Sequence, residues 1–443
     1  MSFVKLENLN DFIQPSSTCI KPAEKKTVGT VAKVSDINLS DCLACSGCIT
    51  SAETVLVQQQ NHEELFKVIN ENKSSKVRKD IVVSLSLQSI SSLANKYSIS
   101  AQECAERICS FFLSIGCDKV FDINLARHLA LVESLREFKI RQTEKSKFPI
   151  ISSVCPGWIC YAEKTNGDLI IPYLSKVRSP QQIMGALIKR TFSVTENKKP
   201  SQVYHVTLMP CFDKKLEASR QDFKKIEPDE SQDVDCVLTP VELEEIMNEE
   251  GVTLLDFDCR KLDILFETKC DLFDEPLTSH FGSVSGGYAE NILLASANEG
   301  QELENNIEYQ TLRNSDFIEL SSTTGSTGKF AIVNGFRNIQ TVVQRLKRNA
   351  LKYDYIEIMA CPSGCINGGA QCKSDTTHGE ATTADSAKRV YKEVPQVKLS
   401  IKSEELNEKI CSKLNIDQRK LIEEIIYTNY HPIPKMQNLT VTW

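Results

Sequence analysis

The sequence lacks the features of a membrane, secreted or nucleic-acid-binding protein. No stretch approaches the ~20 consecutive apolar residues that span a bilayer. Residues 1–8 (MSFVKLEN) contain no apolar core of a signal peptide. The net charge is −7 and the basic pairs are scattered, so we expect no phosphate-binding surface. These absences predict a cytoplasmic protein that binds neither a membrane nor nucleic acid.

Histidine is scarce in this chain, whereas cysteine is abundant. The six histidines are too scattered to form a metal site, but 17 cysteines occur in 443 residues. An odd number of cysteines in a chain of this length does not suit a disulfide-linked secreted domain. We therefore expect a reducing compartment in which the thiols are reserved for metal.

Three cysteines near the N-terminus have the spacing of a metal site. Cys42, Cys45 and Cys48 follow one another at two-residue gaps, and Cys19 lies upstream. Three thiols on a short loop can face one point, and soft thiolate ligands suit the irons of an iron–sulfur cubane. Structural zinc is the alternative, although zinc usually takes pairs of Cys-x-x-Cys. The triplet and Cys19 together supply four thiols.

Four further cysteines lie in turns that contain proline. They are Cys155 in SVCPGW, Cys211 in MPC, and Cys361 and Cys365 in MACPSGC. The first three each follow a predicted strand, and the carboxyl ends of parallel strands line the ligand-binding crevice of open α/β sheets. A single cysteine of this kind is usually an inert buried thiol. Four at such positions predict a second set of metal ligands.

Strands and helices alternate from about residue 80 onward. Apolar runs predict strands at 81–85, 119–122, 149–154, 203–209, 234–238, 330–334 and 355–359. Helical spacing predicts helices at 101–115, 124–139, 240–248, 286–297, 339–348 and 403–427, with a polar loop at 321–328. Such alternation predicts an α/β fold with parallel sheets flanked by helices.

We expect three regions along the chain. Residues 1–75 would form a small N-terminal cluster-binding domain, in which bound metal supplies stability that packing does not. Residues 76–400 would form the α/β core, and residues 401–443 a C-terminal helix and tail.

The cysteine turns resemble the three signature motifs of iron-only hydrogenases. The matching segments are SVCPGW at 153–158, MPCFDKKLE at 209–217 and MACPSGCINGG at 359–369. Segments 233–243, 281–287 and 427–430 also look like that family, so the resemblance covers most of residues 80–435. It implies an iron-only hydrogenase-like core of two lobes.

One departure from the hydrogenase pattern points to a different branch of the family. In true hydrogenases the first motif carries two adjacent cysteines, one of which passes protons to the di-iron site. Val154 stands at that position here, and an isopropyl group cannot carry a proton. The chain is more similar to the cytosolic iron–sulfur protein assembly factors, which are hydrogenase-like but not enzymes. That resemblance implies two [4Fe-4S] clusters.

The resemblance also implies ligand sets and partners. The first cluster would be held by Cys19, Cys42, Cys45 and Cys48, and the second by Cys155, Cys211, Cys361 and Cys365. The family links an early scaffold to the targeting complex that matures cytosolic and nuclear iron–sulfur proteins. Trp443 is similar to the C-terminal residue that this complex recognises, although Thr442 stands where an acidic residue or serine is more usual.

Three other functions remain open from the sequence: an active iron-only hydrogenase, an electron-transfer iron–sulfur protein, and an interaction protein with structural metal. Lys214 and Glu217 align with hydrogenase residues near the di-iron site, and we interpret them as a strand-to-helix turn that the fold has kept. The other cysteines are interpreted as small core residues or inert thiols. They are Cys104, Cys109, Cys117, Cys160, Cys236, Cys259, Cys270, Cys372 and Cys411.

Overall fold

The structure is a computed structural model of the chain. It describes residues 51–144, 148–223, 231–266, 277–297, 307–323, 328–372, 383–397, 399 and 403–433. The strands are β1 Asp80–Leu85, β2 Lys119–Asp122, β3 Ile150–Ser152, β4 Val203–Leu208, β5 Cys236–Leu238, β6 Ser279–His280, β7 Ile307–Thr311, β8 Phe317–Ser322, β9 Phe330–Asn334, β10 Tyr355–Met359 and β11 Gln396–Val397.

Helices connect most of these strands. They are α1 Ser51–Gln59, α2 His62–Ser74, α3 Leu87–Tyr97, α4 Ala101–Ile115, α5 Asn124–Thr143, α6 Pro156–Ile170, α7 Pro180–Thr195, α8 Asp213–Ala218, α9 Pro240–Glu249, α10 Tyr288–Ala297, α11 Phe336–Lys347, α12 Thr383–Glu393, α13 Ser403–Leu414 and α14 Gln418–Lys420, which continues into a π-helix at Leu421–Ile426. Among the described helices, none has both the length and the apolar character that a bilayer span requires.

Two main sheets form the framework of the described residues. One has the strand order β2–β1–β4–β5 and is parallel throughout. The other has the order β3–β10–β9–β8–β7, in which the first three strands are parallel and the last two are antiparallel additions. The predicted α/β fold with parallel sheets flanked by helices is confirmed. The β7–β8 hairpin was not predicted, and its strand Phe317–Ser322 includes two residues assigned to the polar loop at 321–328.

Local sequence signals explain where several elements begin and end. The side chain of Ser100 accepts a hydrogen bond from the amide of Glu103 at the start of α4, and Gly116, with φ of +112°, ends that helix. Helix α9 begins with Thr239 and Glu242 in a reciprocal capping box and has proline at its first position. These signals set where the two helices begin and where α4 ends.

The two sheets share one apolar layer. Val82 of β1 and Val203 of β4 belong to the same buried cluster as Ile150 of β3, Phe330 of β9 and Tyr355 of β10. Helices α5, α7 and α10 contribute most of the remaining members of this cluster. Burial of such side chains is the main favourable term in folding, and here it holds the two sheets at a fixed separation.

The described ends of the chain pack on this core. Leu65, Val68 and Ile69 of α2 are buried in the cluster that surrounds β1, while residues 1–50 lie outside the described part. The division at residue 75 therefore stays a prediction. At the other end, the predicted helix at 403–427 is interrupted, because Asn415 has φ of +50° and Asp417 caps a new helix.

Candidate iron–sulfur site

Cys155 and Cys361 leave the same edge of the larger sheet. Strand β3 runs parallel to β10 with Ile150 opposite Tyr355, and the two cysteines lie just beyond these strands. Cys155 is the N-cap of α6, whose first residue is proline. Strand pairing therefore places the turns of these two sequence-distant cysteines beyond the same edge of the sheet.

Cys211 lies just beyond β4 in the other sheet. A backbone hydrogen bond joins its turn to the loop that contains Cys365. The amide of Ala370 donates a hydrogen bond of 3.3 Å to the carbonyl of Pro210. A Cβ atom on Gly368 would lie 2.3 Å from the same carbonyl oxygen, so only glycine allows this approach. The loop after Cys361, which follows a strand of one sheet, thus contacts the turn of Cys211, which follows a strand of the other.

Cys365 begins a short 3₁₀ turn, which is held by the loop that contains Ser285. Its amide donates a hydrogen bond of 2.9 Å to the hydroxyl oxygen of Ser285. Its sulfur lies 3.7 Å from the sulfur of Met359. The preceding Gly364 has φ of +79°, and a Cβ atom there would lie 1.9 Å from the Ser285 hydroxyl. The turn therefore depends on glycine.

The electrostatics of these thiols suit coordination to a cation. Burial, followed by the nearby Cys155 thiol, raises the pKa of the Cys365 thiol to about 12, although Lys214 acts in the opposite direction. Burial, followed by Asp213, also raises the pKa of Cys155. Such thiols do not ionise alone at neutral pH. Positively charged iron would favour their thiolate forms, so the donor set fits an iron–sulfur cluster.

Helix α8, which follows Cys211, carries a buried polar network. Lys214 and Glu217 form an ion pair of 2.8 Å. Gln181 donates a hydrogen bond of 3.2 Å to Glu217, and the Ser179 hydroxyl donates another. Asp213 is buried beside Gly157, where a Cβ atom would lie 2.6 Å from the carboxylate. The turn that we interpreted as kept by the fold is thus fixed by specific contacts with α6 and α7.

Five of the predicted residues lie outside the part of the chain that the structure describes. Cys19, Cys42, Cys45 and Cys48, together with Trp443, lie outside the described residues. Within the described residues, no three His, Cys, Asp or Glu side chains stand close enough to hold one metal ion. That finding concerns a single ion, whereas the four thiolates of a cubane bond to different irons.

Sequence reasoning missed several residues that support the cysteine turns. Ser285 holds the amide of Cys365, and Asp316 accepts a hydrogen bond of 2.6 Å from the amide of Ser363. Ser285 precedes two glycines in segment 281–287, which was noted only as family-like. The glycine pair signalled a close backbone approach, but no local pattern revealed which loop it approaches.

Comparison with known sequences identifies relatives over the whole chain. Residues 79–369 match the family described as the iron only hydrogenase large subunit, C-terminal domain. The chain is 41% identical over 475 residues to the cytosolic Fe-S cluster assembly factor narfl of Xenopus tropicalis, with 99% of this chain and 98% of the relative covered. It is also 41% identical, with the same coverage, to the cytosolic iron-sulfur assembly component 3 of Rattus norvegicus.

Comparison with solved structures identifies the fold. An [FeFe]-hydrogenase studied for oxygen inactivation of its H cluster superposes with a TM-score of 0.69 at 21% identity, covering 84% of this chain and 98% of that chain. HydA1, an [FeFe]-hydrogenase from Chlamydomonas reinhardtii, superposes with a TM-score of 0.68 at 22% identity and the same coverage. The predicted hydrogenase-like fold is confirmed.

Proposed function

The chain belongs to the hydrogenase-like family of cytosolic iron–sulfur cluster assembly factors, and we propose that it binds two [4Fe-4S] clusters. The observation that carries the proposal is the meeting of three strand-end turns, which contain Cys155, Cys211, Cys361 and Cys365. Membership of the family gives the chain a role in cytosolic iron–sulfur assembly and the cytoplasmic location that we predicted.

The second cluster would be bound by the turns from both sheets. Two of its ligands would follow β3 and β4, and two would come from the loop after β10. The loop from Cys361 to Ala370 is hydrogen-bonded to both Ser285 and Pro210, and these bonds support the turns that carry the proposed ligands. A cluster at this position would link the two sheets and stabilise the fold.

The first cluster would be bound beside the second. Helix α1 begins three residues after Cys48 in the sequence. Val57 of this helix is buried in one cluster with Cys211, Phe212 and Ala370. The Gln60 side chain donates a hydrogen bond of 3.0 Å to the carbonyl of Lys215. These contacts support a position for the N-terminal ligand set close to the second site.

We propose that the chain does not produce hydrogen, because the proton-relay position is apolar. Val154 packs against apolar clusters on both sides of β3. It has no group that can accept or release a proton. The surviving Lys214–Glu217 pair would then serve to position α8 rather than to assist a reaction.

We propose that the chain links an early scaffold to the targeting complex, and that Trp443 contributes to the contact with that complex. The net charge of −7 supports partners other than nucleic acid. Electron transfer between the two clusters is the alternative function, and the packing of α1 beside Cys211 favours it.

Two substitutions test the assignment of the ligand sets. Cys365→Ser is expected to remove the iron of the second cluster, whereas Cys372→Ser, at a buried cysteine seven residues further on, is expected to keep it. We further propose that the first cluster is the one that is transferred, so Cys42→Ser is expected to abolish transfer of iron and sulfide to an apo-acceptor. Full transfer by Cys42→Ser would contradict that assignment, and full iron in Cys365→Ser would contradict the second ligand set.

A further inference from the structure

A cavity with an empty volume of about 650 Å³ is lined by residues that follow strands of both main sheets. It is partly open to solvent, so a small molecule can enter it. Apolar side chains, among them Leu85, Leu87 and Leu277, form part of its wall, and polar side chains form the rest. The cavity therefore has the size and the mixed lining of a small-molecule site.

Arg127 of α5 is a buried cation in the wall of this cavity. It is 6% exposed, and its terminal nitrogens donate hydrogen bonds to the hydroxyl of Tyr391 and, at 2.9 Å, to the carbonyl of Gly286. Both acceptors are uncharged. Within the described residues, the Nε of Arg127 has no hydrogen-bond partner. Since a buried charge is costly unless it is paired, this guanidinium favours an anion in the cavity.

The acidic groups around the cavity are engaged by other donors. Glu357 is close enough to interact electrostatically with Arg127, but its carboxylate accepts a hydrogen bond of 3.0 Å from the amide of Ala289. Asp122, which also lines the cavity, accepts one of 2.9 Å from the amide of Asn124. In the part of the chain that the structure describes, neither carboxylate forms an ion pair with Arg127. Its charge is therefore available to an anion that enters.

Further donors lie at the same cavity. Tyr288 lines it and is 2% exposed, and its hydroxyl has no partner among the described residues. Helix α5, with 20 residues, begins at the cavity with Ile123 as its N-cap, and no side chain caps it. The amides in the first turn of such a helix attract anions. Lys214, the other cation of the lining, is neutralised by Glu217 at 2.8 Å.

We propose that this cavity binds a small organic carboxylate, with its oxygens at Arg127 and Tyr288 and its apolar body against Leu87 and Leu277. A guanidinium matches the planar carboxylate group, and the apolar wall favours an organic body over an inorganic anion. The inference goes beyond the proposed function, because these four residues lie outside the cysteine turns. The bound molecule would lie beside the second site, since Cys365 lines the same cavity.

Calorimetric titration of the full, iron-loaded chain with sodium hexanoate tests this site. We expect one saturable site, and binding at least about tenfold weaker for hexanamide, which has the same carbon chain and no charge. Tyr288→Phe removes a hydroxyl that has no partner among the described residues. We therefore expect this variant to keep its iron content and its thermal unfolding midpoint, and to bind hexanoate about tenfold more weakly.

Matched variants separate the site from general damage. Tyr204→Phe makes the same change at a buried tyrosine of β4 that does not belong to the lining, and it is expected to leave hexanoate binding unchanged. Arg127→Gln removes the charge and is expected to abolish binding. The thermal unfolding midpoint of each variant shows whether it is folded, and Tyr288→Phe carries the test if Arg127→Gln is not.

Each other outcome overturns a defined part of the inference. Absence of saturable hexanoate binding overturns the site. Equal binding of hexanamide overturns the carboxylate, because the cavity then selects only an apolar body. Binding of inorganic phosphate as tight as that of hexanoate overturns the organic class. Unchanged hexanoate binding in folded Tyr288→Phe also overturns the site. Full iron in Cys365→Ser, by contrast, contradicts the second cluster and leaves the carboxylate site standing.

Discussion

The backbone amide of Cys365 donates a hydrogen bond of 2.9 Å to the hydroxyl oxygen of Ser285. Ser285 lies in the loop before α10, whereas Cys365 lies in the loop after β10. The contact therefore joins two segments that are 80 residues apart in sequence. It fixes the turn of Cys365 through a contact that does not involve the other three proposed ligands.

Ser285→Ala is expected to weaken the cluster site without unfolding the protein. The substitution leaves the amide of Cys365 without its acceptor, and an unpaired buried donor costs about 1–3 kcal/mol. Denaturant unfolding of the loaded protein measures the loss. Ser296→Ala is the control, because that hydroxyl only donates to the carbonyl of Ile292 within α10. Equal losses in the two variants would contradict a special role for Ser285.

Gly368→Ala is expected to disrupt the second site by steric conflict. The added Cβ atom would lie 2.3 Å from the carbonyl oxygen of Pro210, so the loop that carries Cys365 must move away from the turn of Cys211. Iron content should fall by about half, from about eight to about four atoms per chain. Gly251→Ala is the control, since no atom lies within 4 Å of its added Cβ.

The control variant at Gly251 separates steric conflict from backbone strain. Gly251 has φ of +68°, so alanine there costs about 1 kcal/mol of stability and should leave the iron content unchanged. If Gly368→Ala keeps its full iron content, the loop does not depend on the close approach to Pro210.

Glu163→Ala is expected to destabilise the protein by about 2 kcal/mol, because the partly buried guanidinium of Arg220 loses two charged hydrogen bonds and keeps its ion pair with Asp222. The side chains of Glu163 and Arg220 are 3% and 17% exposed. Glu423→Ala is the control, because it removes the ion pair of 2.9 Å between Glu423 and Arg419. Those side chains are 59% and 82% exposed, so the loss of stability should stay below about 0.5 kcal/mol. Urea unfolding of both variants measures the two losses of stability. Losses of equal size would contradict the prediction.

His205 is expected to make the folded protein sensitive to acid. The carbonyl of Asp233 accepts a hydrogen bond of 3.1 Å from Nδ1, so Nε2 of the neutral ring accepts from the Ser84 hydroxyl at 2.8 Å. Burial lowers the pKa of His205 from 6.5 to about 3. The folded state thus favours the neutral ring, and its contribution to stability is complete above about pH 6.5 and is lost as pH falls toward about 3.

The measurement is the free energy of unfolding at several pH values between about 7 and 4, where each unit of pKa difference corresponds to about 1.4 kcal/mol. The difference between the wild type and His205→Gln isolates this residue from other titrating groups. We expect the stability of the wild type to fall more steeply with acid than that of the variant. Parallel pH profiles would show that His205 does not titrate differently on folding.

The sequence carried most of the information about the cysteine turns. Cys155, Cys211 and Cys361 follow apolar strands, and proline lies next to each of them, so period and turn chemistry placed them at strand ends. Local pattern sufficed for the strands because each of them is wholly buried. The pairing of β3 with β10 did not follow from it, because crossover handedness does not determine which strands are neighbours.

Other features depend on contacts between distant segments. Strand β7 is largely polar and exposed, and the two buried residues of β8 lie three positions apart, so neither strand has the two-residue alternation that predicts a half-buried strand. The partnership of Ser285 with Cys365 joins two loops that no local rule relates. In α2, by contrast, Leu65, Val68 and Ile69 have helical core spacing, a local signal that the sequence analysis did not use.

Iron and acid-labile sulfide per chain, measured on protein purified without oxygen, test the central claim most directly. Two cubanes predict about eight iron and about eight sulfide per chain, with about four of each remaining in Cys365→Ser. About ten iron with about eight sulfide would instead indicate an additional di-iron unit and hydrogenase chemistry. Little iron, with zinc in its place, would contradict the assignment of both cysteine sets to iron–sulfur clusters.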